Sequence, residues 1–149
     1  GSVELFAGNA DQDAGSFKIQ TGVSGSHGTS GDLTFSSGDG ATTGAVIFKT
    51  GAASDGASGE IRLETGYGKS QSGSIVARAG MSEADESGNV IIAAGDAVEY
   101  SGGEIELKAG DGAQGGGVSI SAGDGLTCGG GDIEIESGAG VTESGRIVL

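Results

Sequence analysis

Four aspartates follow a glycine at the same place in a repeating pattern: Asp39, Asp96, Asp111 and Asp124. Carboxylate oxygens are hard ligands, and several gathered at one point suit Ca²⁺. Asp96, Asp111 and Asp124 fall in consecutive repeats, so these three form the candidate metal site. The competing account is that Asp favours tight turns, where it bonds its own local backbone. Two other reactive side chains occur once each. His27 sits in Gly25-Ser26-His27-Gly28, and any Ser/His/Asp or Cys/His machinery would have to use it. Cys128 alone can make neither an intrachain disulfide nor a cysteine-based zinc site. Neither residue has the company that catalysis needs. The chain is therefore read as non-enzymatic, with no cofactor beyond the candidate calcium.

The elements that would position these groups repeat along the whole sequence, residues 1–149, which is read as one domain. A glycine opens each repeat, at Gly1, Gly15, Gly31, Gly44, Gly59, Gly73, Gly88, Gly103, Gly116, Gly131 and Gly145. The eighth position of every full repeat is again glycine, from Gly8 and Gly22 through to Gly138. Between them, the third and fifth positions are apolar, as in Val3/Leu5, Phe17/Ile19, Val90/Ile92, Ile105/Leu107 and Ile133/Ile135. Alternation with period two is the mark of a half-buried strand. The seventh position is always small, and so are the tenth and the last. The remaining five to eight residues of a repeat are too few and too glycine-rich for a helix.

The simplest object with this pattern is an all-β, parallel β-solenoid of about ten coils of 13–16 residues, stacked in register. Coils about 4.8 Å apart would bury each apolar pair against its neighbours, with small side chains letting the return segment lie close. An antiparallel meander is the alternative. Charge favours the stack. Lys49, Glu64 and Arg78 alternate in sign down one outward column, and no like-charged residues are neighbours in the outward strand columns.

Composition narrows the partners. The chain has 34 Gly, no Pro and a net charge of −14, from 21 acids against 7 bases. Such a charge disfavours nucleic acid and anionic membranes. No apolar run approaches the length of a membrane span. Ile47, Val76 and Ile91 are apolar residues in outward columns, and Val98, Leu126 and Val141 fall at one column of the connecting segments. Exposed apolar stripes mark contact with another molecule, so these six are candidates for a lateral contact. The sequence also begins and stops within strand patterns. Ser2, Val3, Glu4 and Leu5 at one end, and Arg146, Ile147, Val148 and Leu149 at the other, are candidates for end-to-end self-association.

The unit Gly-x-Ile-x-Ile-x-Ala-Gly-Asp-Gly, as at Gly103–Gly112, resembles the Gly/Ser-rich tandem repeats of large extracellular β-solenoid proteins of aquatic microbes. That resemblance implies a structural or adhesive role at the cell surface and adds no site residues. The expectation is a segment of an extracellular filament built by end-to-end stacking of coils, with copies of itself as partners. A calcium-stabilised adhesin spacer is the alternative. Ice binding is a lesser one, because the outward columns lack a regular array of threonines.

Overall fold

The computed structural model describes residues 1–148. The chain divides into two units, Gly1–Ile75 and Val76–Leu149. Within each, the repeat is visible as an extended run followed by a bend, and the bends fall in the connecting segments at 11–13, 54–56, 83–85, 98–100 and 112–114, among others. Among the described residues no helix is long and apolar enough to cross a membrane.

The expected solenoid is absent. Among the described residues there is neither a strand nor a helix. A parallel stack would show ladders of backbone hydrogen bonds between equivalent positions of successive repeats. Among the described residues the backbone–backbone bonds number six, and all six close loops. Five of them share one form. The amide of an opening glycine donates to the carbonyl of the eighth-position glycine of the repeat before: Gly15 to Gly8, Gly103 to Gly95, Gly116 to Gly110, Gly131 to Gly123 and Gly145 to Gly138, at 2.8–3.0 Å. Five of the ten connecting segments are thus tied off at the base, while among the described residues the extended runs on either side stay unpaired. The all-β parallel solenoid with in-register stacking is corrected on this finding, as is the tandem β-coil likeness to the aquatic-microbe proteins. The filament of stacked coils, with its adhesin-spacer and ice-binding variants, loses its structural basis too.

No core replaces the stack. No described side chain is buried. The accessible surface is 15229 Å². A compact chain of 14.2 kDa would expose about 6,800 Å² and a fully unfolded one about 20,600 Å². The chain lies nearer the second limit. The reason is visible in the repeat. Each offers two sizeable apolar side chains, worth about 1.5–3 kcal/mol apiece if fully buried. Against this stand thirteen to sixteen residues to be ordered, rich in glycine, the residue that loses most freedom on folding.

What survives of the strand pattern is part of its alternation, between the third and fourth positions. From the third repeat on, third-position side chains are the less exposed, as at Leu33 51%, Val46 50%, Ile105 50% and Ile133 52%, whereas Val3 is 90% exposed and the fifth position reaches 77% at Leu63. The fourth-position Ile47, Val76 and Ile91 reach 74–84%. An extended backbone sends alternate side chains to opposite faces whether or not it is paired. Neighbouring repeats touch at Phe35 and Phe48, both fifth-position residues, whose rings meet edge to face with centroids 6.4 Å apart.

The small columns are explained by the bends rather than by a covered apolar face. The half-buried residues Ala7, Thr21, Ala79 and Ala109 are all in the seventh position, and Ser24, Gly68 and Ser82 are in the tenth. A Cβ on Gly68 or Gly140 would run into the carbonyl of Gln71 or Glu143, where the bend turns back. A Cβ on Gly103 would lie 3.1 Å from the Ala94 Cβ. Small residues stand where each connecting segment folds onto its own base.

Candidate functional site

The aspartate column does not come together. Among the described residues no three of His, Cys, Asp and Glu are placed to hold a metal ion. Asp96, Asp111 and Asp124 each belong to a separately tied bend. Asp111 lies beside a base of its own repeat instead, with Oδ2 4.0 Å from Lys108 Nζ. Both side chains are largely in water, where such a pair contributes little. Elsewhere Asp serves its bend: the Glu86 amide donates to Asp85 Oδ1 at 2.9 Å, and the Asp85 amide to Ser82 Oγ at 3.1 Å. That is the local bonding for which turns select Asp and Ser.

His27 and Ser26 share a hydrogen bond of 3.0 Å through Nδ1 and Oγ. They are sequence neighbours on an exposed turn closed by the Gly28 amide donating to the Gly25 carbonyl at 3.2 Å. Among the described residues no carboxylate bonds the ring, so nothing orients it as a general base. A shallow hollow of about 450 Å³ lies alongside, lined by Gln20, Thr21, Val23, Ser24 and Ser30 with two glycines. None of these is a charged group. Cys128 is free and exposed.

Ionic pairing runs within repeats rather than between them. Arg62 sits between Glu60 and Glu64, at 2.9 Å and 3.6 Å, with Nε donating to Glu60 at 3.1 Å. Residues two apart on an extended run share a face, so the three side chains meet without any neighbouring repeat. The sequence expectation was that Glu64 would sit between Lys49 and Arg78 of adjacent coils. Among the described residues neither base pairs with it.

The lateral-contact residues are all exposed: Ile47, Val76 and Ile91, and still more Val98, Leu126 and Val141. They are not distinguished by this, because the apolar pairs meant for the interior are exposed as well. Of the terminal candidates, Ser2, Val3, Glu4 and Leu5 and Arg146, Ile147 and Val148 are exposed, and Leu149 lies outside the described residues.

Two features were missed in the sequence. One is the glycine-to-glycine tie, whose signal was the fixed pairing of opening and eighth-position glycines. The other is the Glu60–Arg62–Glu64 cluster, signalled by alternate charges along one run. The eighth-position glycines, seen in the sequence, stand differently in the structure. A Cβ would meet nothing within 4 Å at any of the ten, and none has a positive φ. Nothing within the single chain explains why this column is always glycine.

Comparison with protein-family models, with curated proteins and with solved structures finds no match for the chain.

Proposed function

We propose that the chain is a non-catalytic, multivalent repeat segment that works by associating laterally with other copies of itself. The observation that carries this reading is the exposure of every described large apolar side chain, repeat after repeat. Contiguous apolar surface in water is stabilised when another molecule covers it. The rows recur with each repeat, so many weak contacts act together once one has formed.

Charge sets the conditions. At −14 the copies repel one another. Twelve acids and Lys69 lie in the connecting segments, and nine acids and six bases in the extended runs. The repulsion is therefore concentrated on the bends, and the runs are the side on which copies approach. Salt shortens the range of such repulsion to about 10 Å at 0.1 M. Sedimentation velocity across a wide range of protein and salt concentration tests the reading. The expected result is a rise in mass with both. A chain that sediments as a monomer throughout removes it.

A further inference from the structure

The eleven extended runs are not equal as contact surfaces between copies. Two identical segments paired in parallel and in register place every residue opposite itself, so any charged residue then faces a like charge. Nine of the runs carry at least one charge, from Glu4, Lys18 and Asp32 in the first three to Arg146 in the last. The runs at 88–95 and 116–123 carry none. The second of these is built on Gly117, Ser119 and Ser121, residues that favour strands weakly. The first reads Asn89-Val90-Ile91-Ile92-Ala93-Ala94, with three β-branched residues in succession, no proline and no glycine inside it.

The structure leaves this segment open on every side. Val90 is 57% exposed, Ile91 84% and Ile92 71%, so both faces are apolar and in water. Among the described residues, none from Asn89 to Ala94 makes a backbone hydrogen bond. An extended run with free amides and carbonyls along both edges is a template for another strand. Six residues of high β-propensity, low charge and no proline are the pattern of segments that stack on copies of themselves, and Asn adds side-chain amides that bond along such a stack.

We infer that Asn89–Ala94 is the segment at which copies of this chain first join, each pairing edge to edge with the same segment of a second copy. This rests on the self-association proposed above and assigns it a place. The charged runs on the N-terminal side (Arg78) and the C-terminal side (Glu104, Glu106, Lys108) limit the pairing to this stretch and set its register. A six-residue contact is far smaller than the roughly 800 Å² per partner of a stable dimer. Both edges of the segment are free, however, so copies add on either side. Association is then cooperative in concentration and carries a β signature that the single chain lacks.

The test compares the full-length chain with Ile91→Lys and, as a control at a polar position assigned to no contact, Thr34→Lys. Both side chains are exposed in the free chain and both occupy the fourth position of their repeat, so neither substitution disturbs the single molecule. Sedimentation gives the concentration at which mass begins to rise, and infrared absorption reads intermolecular β pairing. For Ile91→Lys that concentration should rise at least about tenfold, equivalent to about 1.4 kcal/mol, with loss of the β band. Thr34→Lys should behave as the parent. Equal association by Ile91→Lys and the parent overturns the assignment, as does an equal loss in both variants. A parent chain that never associates overturns the self-association reading itself.

Discussion

The Gly103 amide donates to the Gly95 carbonyl at 2.9 Å, and a Cβ added to Gly103 would lie 3.1 Å from the Ala94 Cβ and 3.3 Å from the Gly95 nitrogen. The two glycines of the tie are thus under different constraints. Gly103 is crowded, whereas a Cβ on Gly95 meets nothing within 4 Å. Gly103→Val should break the tie, and Gly95→Ala should leave it intact. Hydrogen exchange at the residue-103 amide measures the difference. A net hydrogen bond of about 0.5–1.5 kcal/mol corresponds to a loss of protection of roughly two- to tenfold in the valine variant. Equal protection in the two variants would show that crowding at Gly103 is unimportant.

The edge-to-face contact between Phe35 and Phe48, with rings inclined at 83°, joins two successive repeats in the first unit. Such pairs contribute about 0.5–1.5 kcal/mol beyond area burial. Replacing Phe35 by Leu should move the ring-proton resonances of Phe48 toward their positions in a short peptide. Unmoved resonances would mean that the two rings do not meet in solution.

Asp96, Asp111 and Asp124 are held in separate bends and share no metal geometry with other described residues. Millimolar Ca²⁺ followed by chelator should therefore leave the amide spectrum of the chain unchanged, and Asp111→Asn should not alter that response. A saturable shift of these three aspartates on adding Ca²⁺ would contradict the placement.

Cys128 is exposed on its bend. An aromatic disulfide reagent should titrate one thiol per chain at the rate of a short cysteine peptide, without denaturant. Slow or partial labelling would show that the bend is covered.

The two-glycine repeat and the positions of the small residues were legible in the sequence, though the small columns serve the bends and not a covered apolar face. Each depends on neighbours within one repeat. Parity at Val90-Ile91-Ile92 follows from backbone geometry alone, and Asp85 bonds its local amide wherever the bend goes. The same holds for the candidate contact: that 88–95 lacks charge is read directly from its residues. The stacking of Val90/Ile92 against Ile105/Leu107 was not decided there. It needs contacts between residues about fifteen positions apart, each of which must overcome the entropy of a glycine-rich connecting segment. Only the tertiary structure shows how that balance falls. Half of the connecting segments are tied to their own base, the aspartates are kept apart, and the apolar rows remain in water, where another chain can cover them.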